Sequence, residues 1–243
     1  MIDGYLEIMH GYLVGRESES ATADALERAG FAPASSPVAP GARASSSTFG
    51  VYRELVTRQW RAVLDHFFRA ARTFALASSR TDDPTWDQLT LAFHQAHPPA
   101  EGNPNVFCLP FAAYLETRGC AAELVELADF AVTRYRAMHV AHGPTPVVEA
   151  DVFARSYAFD VVSFSRAAEA GEAGCLLAAV PTTVVVGRSR RTGALRVVRA
   201  SLGALVALSE ADGSASSDEL PAGLTRAMVE GERAALVAEG LLP

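Results

Sequence analysis

The feature that most limits how this chain can fold is a change in the period of its apolar residues. Through residue 138 they recur at i, i+3, i+4 and i+7, the spacing that lines one face of an α-helix. The stretch HGPTPVV (142–148) ends that pattern. After it come VFARSYAFDVVSF (152–164), PTTVVVGR (181–188) and ALRVVRA (194–200), rich in β-branched and aromatic residues. A helical period cannot sit in a sheet, so the two halves are expected to be built differently. The fold class expected is α+β: an all-helical N-terminal domain, then a strand hairpin plus three helices in a winged-helix-like domain.

Within the helical half, Ile2, Tyr5, Leu6, Met9 and Leu13 mark a first amphipathic helix, and residues 22–29 a short second one stopped by Gly30. APASSPVAPGARASSS (32–47) has too few bulky apolar groups to pack and reads as a linker. The longest helical pattern runs from Tyr52 through Leu55, Val56, Gln59, Trp60, Val63 and Leu64 to Phe67 and Phe68. Asp83-Pro84 is placed to cap the next helix, whose apolar face is Trp86, Leu89 and Phe93. HPPAEGNPN (97–105) reads as a loop, and Pro110 opens a helix with Phe111, Tyr114 and Leu115. Leu124, Leu127, Ala128, Ala131, Tyr135 and Met138 define the last one. The organisation expected is an N-terminal helical arm (1–31), the linker (32–48), a helical domain (49–145) and the winged-helix-like domain (146–243).

In the second half, residues 181–200 form a hairpin around SRRTG. A helix opens at Leu202, Leu205 and Val206 and closes at Asp212-Gly213. Ser216 and Glu219 have capping-box spacing ahead of Leu220, Leu224 and Met228. Gly240 stands where a helix C-terminus needs a left-handed residue, with Leu241 able to fold back.

Charge narrows the functions available. The formal net charge is −7 and every basic residue is arginine. Arg188, Arg190, Arg191, Arg196 and Arg199 concentrate around the hairpin, either as a solvated tip or as a dock for an acidic partner. The final helix offers Arg233 against Glu230, Glu232 and Glu239. Affinity for nucleic acid rests on neutralising many phosphates, so this balance argues against it. Three scattered cysteines without CxxC spacing, and a start without a basic signal region, lead to the expectation of a cytoplasmic protein with no membrane span. Cys108 in VFCLPF reads as a core residue. His94/His97 and His139/His142 have helical HxxH spacing, but each pair straddles a helix end. No phosphate loop, nucleophile elbow or HExxH is present, so no catalytic residue and no metal ligand is assigned. The acidic residues Glu123, Glu126 and Asp129 read as solvated helix face.

Two stretches carry a family resemblance. LGALVALSEADGSASSDELPAGLTRAMVEGERAALVAEGLL resembles the winged-helix recognition element of enzymes that modify ribosomally made peptides (RiPPs), as in the peptide chaperone of pyrroloquinoline quinone biosynthesis. FGVYRELV (49–56), DPTWDQLTLAFHQAHP (83–98) and VFCLPFAAYLE (106–116) resemble the partner subunit of methanobactin biosynthesis, whose family is traditionally labelled a DNA-binding domain. The resemblance implies a non-catalytic subunit that binds the leader of a precursor peptide. That peptide would be presented to a TIM-barrel, multinuclear iron-dependent oxidase, with the iron on the partner enzyme and no cofactor on this chain. It implies a leader strand seated beside the third strand and against the last helix. Carried to matching positions, the peptide-binding residues are Leu195, Val197, Arg199, Val229, Arg233, Leu236 and Val237. The alternative is a transcriptional regulator using the same winged helix on DNA, and an autonomous metalloenzyme would rest on the HxxH pairs alone.

Overall fold

The computed structural model describes residues 18–29, 48–78, 84–98, 104–139, 152–172, 174–214 and 220–243. The expected first helix, Gly30, the 32–47 linker, Asp83, His142 and the Ser216/Glu219 box lie outside them. The fold is mixed α+β, and the chain divides into two compact units, Met1–Tyr114 and Leu115–Pro243.

The first unit contains α1 (Glu19–Arg28), α2 (Thr48–Phe67), α3 (Arg69–Ala77), α4 (Trp86–Ala96) and α5 (Pro104–Cys108). Its core is aromatic. Phe111 lies 4.7 Å from Phe68, 4.9 Å from Phe93 and 5.6 Å from Trp86, ring centre to ring centre. Such tilted and edge-on pairs add roughly 0.5–1.5 kcal/mol each beyond their buried area. The Trp86 indole N–H finds its acceptor in Asp65 at 2.6 Å, so the ring is buried without orphaning its polar edge.

Two sequence expectations are corrected here. Thr85, not Asp83-Pro84, caps α4: its hydroxyl accepts from the Gln88 amide while the Gln88 side chain accepts from the Thr85 amide. Residues 104 and 105, expected in the 97–105 loop, are helical instead, because Pro104, with φ preset for a first turn, begins α5. Cys108 is fully buried there, and burial pushes its thiol up to about 12.

Helix α6 (Phe111–Thr117) leads into the second unit, whose elements are α7 (Ala122–His139), β1 (Val152–Tyr157), α8 (Val161–Ala170), β2 (Thr182–Arg188), β3 (Leu195–Arg199), α9 (Leu202–Ala211) and α10 (Arg226–Glu239). The three strands form one antiparallel sheet in the order β1-β2-β3. Successive side chains point to opposite faces of a strand, so the central strand must be apolar on both sides. Val184, Val185 and Val186 are all fully buried. On one face Val152 and Val185 join Ala204, Ala207, Leu208, Val229, Leu236, Leu241 and Leu242. The other face meets α7, where the Tyr157 hydroxyl donates to Asp129 at 2.9 Å and its ring sits edge-on to Phe130. Burial first, then the Asp129 charge, raise the Tyr157 phenol well above its usual range.

Helix α7 therefore packs in the same unit as the sheet, although its periodicity alone grouped it with the helical half. Two of its acids are structural rather than solvated. Glu126 accepts the Ala158 and Phe159 amides at 2.9 and 3.2 Å, and Asp129 accepts Tyr157.

The first strand is also shorter than the 152–164 expected. Asp160 takes the Ser163 amide at 3.1 Å, caps a helix, and turns DVVSF into the start of α8 with Val161, Phe164, Ser165 and Ala168 inward. β-Branched residues gave the run a strand look that a cap and a helical face overrode. Likewise, the helix expected around Leu220–Met228 is a turn through Pro221–Gly223, and Thr225 caps α10 with its hydroxyl on the Met228 amide.

Candidate functional site

The hairpin and the end of α10 are clasped together. Gly240 takes φ +74°, reversing the chain so that Leu241 and Leu242 fold back into the core. Its carbonyl accepts the Arg190 amide at 2.8 Å, and the Arg191 guanidinium donates to the Ala238 carbonyl at 2.9 Å.

The ladder between β2 and β3 has a readable phase. Ser189 N–H donates to Ala194 at 2.8 Å and Ala200 N–H donates to Thr183 at 2.8 Å, bracketing the paired residues. Antiparallel strands alternate bonded and non-bonded pairs. Residues 194, 196, 198 and 200 therefore spend their backbone groups on β2. The backbone N–H and C=O groups of Leu195, Val197 and Arg199 point the other way, toward the open edge, since β3 has a single neighbour among the described residues. Leu195 and Val197 are half-buried and Arg199 is exposed.

The same alternation divides the seven expected peptide-binding residues. The side chains of Leu195, Val197 and Arg199 share a face with Val184 and Val186. Arg199 is held on that side by both Asp160 oxygens, at 2.8 and 2.7 Å, and by the Ser163 hydroxyl at 2.7 Å. Partial burial would raise the Asp160 carboxyl, but the Ser163 amide and hydroxyl and the Arg199 charge outweigh it and hold it below its usual range. Val229 and Leu236 sit in the core of the opposite face, at 0% and 1% exposure. On α10, Val237 is exposed, and Arg233, one turn earlier, lies on the flank turned toward α9. There Arg226 and Arg233 both reach Glu210, at 2.6 and 3.0 Å. The Arg226 hydrogen bond leads in holding Glu210 below its usual range, burial opposes it, and Arg233 adds to it.

What borders β3 on the α10 side is a set that sequence reasoning missed. Arg196 pairs with Glu239 at 3.1 Å, the Ser201 hydroxyl donates to Glu232 at 2.6 Å, and Val198 packs on the core beneath. Residues 228, 232, 235 and 239 follow i, i+4, i+7, i+11 and form one stripe along that flank. A helical wheel of α10 combined with strand alternation would have found them.

Four of the hairpin arginines hold partners of two kinds: Arg188 and Arg191 donate to neutral carbonyls, whereas Arg196 and Arg199 are paired with carboxylates. Arg188 donates to the Gly193 carbonyl at 3.2 Å, and Arg191, Arg196 and Arg199 hold the partners named above. Of the histidine pairs, His94 is buried near Phe107, while His97 stacks on Phe93 at 4.8 Å and meets Tyr114 edge-on. His139 stacks on Tyr135 at 4.0 Å. Among the described residues, no three His, Cys, Asp or Glu side chains come together as a metal site. No helix among them is long and apolar enough to cross a membrane. The chain matches no protein-family model and no curated protein.

Proposed function

We propose that this protein is a non-catalytic, peptide-binding subunit. In this reading it takes the leader of a ribosomally made precursor peptide as an added strand beside β3. It presents that peptide to a TIM-barrel, multinuclear iron-dependent oxidase, which holds the iron. The observation that carries the peptide-binding part is the outward row of backbone groups on Leu195, Val197 and Arg199, beside the polar flank of α10. An open strand edge recruits an extended segment through main-chain hydrogen bonds, and neighbouring side chains select among sequences. The β2–β3 hairpin followed by α9 and α10 suits a winged-helix recognition element, with α8 set between β1 and β2 as a departure from it. The oxidase partner follows from the resemblance of the helical half.

The regulator alternative draws less support. Arg226 and Arg233 of α10 are both paired with Glu210, Glu239 is met by Arg196, and Glu230 and Glu232 remain along the same helix. A helix of that charge would oppose phosphates in a DNA groove.

Val197→Pro is the sharpest test. Proline removes the outward N–H that an added strand would need, while the ladder to β2 uses residues 196 and 198. Edge strands with the N–H facing away tolerate proline. The tagged protein, expressed with its genomic neighbours, is expected to co-purify with a barrel-sized iron protein and a small peptide. The Val197→Pro variant should keep the protein partner and lose the peptide. Retention of the peptide by a folded Val197→Pro variant would refute strand addition at this edge. Binding to its own promoter, with no partner captured, would favour the regulator.

A further inference from the structure

The flank of α10 that borders the open edge is electrically graded along its length. Toward the start of α9 lies Glu232, a carboxylate whose partner among the described residues is a neutral hydroxyl, that of Ser201. Next comes Ala235, small and exposed. Then Arg196 and Glu239 neutralise one another. Beyond them Arg191 bonds the Ala238 carbonyl, an uncharged acceptor, and so keeps its full positive charge at the hairpin tip. The line thus runs from negative through neutral to positive.

We infer that the strand received at β3 is bipolar, with a basic side chain set against Glu232 and an acidic one set against Arg191. This rests on the strand-addition reading above and names its substrate class. Spacing supports it. Residues 232 and 238 are separated by about 9 Å of helix axis. Same-side positions four apart on a strand are about 13 Å apart, and the arms of a lysine and a glutamate absorb the difference. Ala235 leaves room between them for the intervening side chain. An all-acidic peptide, which the arginine-rich hairpin alone would invite, meets Glu232. An all-basic one, which the net charge of −7 would attract, meets Arg191.

The test uses fluorescein-labelled, capped Thr/Val peptides carrying two same-side charged residues four apart: Lys/Glu, Lys/Lys or Glu/Glu. Binding to the full chain is read by anisotropy at low and high salt. Exposed ion pairs are worth little singly, so the mixed peptide is expected to bind about threefold to tenfold tighter than either like-charged one. That advantage should shrink at high salt. Glu232→Lys should move the preference to Glu/Glu, and Arg191→Glu should move it to Lys/Lys. These opposite shifts cannot both arise from lost folding. If all three peptides bind equally and Val197→Pro abolishes them, strand addition stands and the bipolar preference is overturned. A like-charged peptide binding best overturns it too. If none binds, both readings fall.

Discussion

Gly240→Ala should destabilise the second unit by about 2–3 kcal/mol, and the sum can be built from its parts. Gly240 has φ +74°, where an L-residue brings its Cβ against the backbone at a cost of roughly 1–2 kcal/mol. A Cβ there would also sit 2.4 Å from the Ser189 hydroxyl oxygen, far inside van der Waals contact. Ser189 is 1% exposed, so its hydroxyl has little free space to turn into, and turning breaks the bond it accepts from the Thr192 amide. A lost hydrogen bond of that kind adds about 0.5–1.5 kcal/mol. The assay is native-state hydrogen exchange read by mass spectrometry on peptides spanning 182–199 and 226–242, with urea unfolding by circular dichroism beside it. The Ser189→Ala background separates the two terms. It removes the clashing oxygen and leaves the Ser189 Cβ at 3.4 Å, an ordinary contact. In that background Gly240→Ala should cost only the backbone part, so the double-mutant cycle should return about 1 kcal/mol of coupling. A cost below about 0.5 kcal/mol for Gly240→Ala alone would refute the left-handed cap as the source of stability. An unchanged cost in the Ser189→Ala background would show that the close approach is not felt.

Two further outcomes can be checked independently. Asp160 has a lowered folded-state pKa, so its contribution is present above the usual carboxylate range near 4 and is lost as pH falls through the folded value. The urea midpoint of wild type should therefore fall more steeply from pH 5 to pH 3 than that of Arg199→Gln, whose Asp160 has lost its ion pair. With its thiol pushed up to about 12 and no exposed surface, Cys108 should resist a disulfide reagent at pH 8 until the chain is unfolded. Cys120 and Cys175, both half-exposed, should react in the native state.

What was legible in the sequence was periodicity, and what was hidden was pairing. The switch from helix to strand, the 181–200 hairpin, the Trp86–Leu89–Phe93 face and the Gly240 reversal each depend on residues close in sequence, and each is present. The start of α8 went unread because Val161 and Val162 favour a strand locally, and the Asp160 cap competes with that preference. The edge residues Leu195, Val197 and Arg199 could be placed on β3 by pattern. Which of their groups face outward depends on the hydrogen-bond phase with β2, which no local pattern encodes. The arginine cluster misled for the same reason. Glu239 lies 43 positions beyond Arg196, and Asp160 lies 39 before Arg199, so a linear scan sees charges without their counterions.

The phase of the β2–β3 ladder has a consequence for how this surface would evolve and how it would be mapped. At Leu195, Val197 and Arg199 the groups offered at the edge belong to the main chain, which every residue except proline supplies alike. Ordinary substitutions there alter side-chain contacts on the face toward α7 and the start of α8 while leaving the offered donors and acceptors in place. Drift at these three positions would thus leave a main-chain contact intact. An alanine scan would pass over it in silence, reporting only losses of stability. Backbone-level changes, an ester in place of an amide or a proline in place of a valine, are the ones that would make the edge visible.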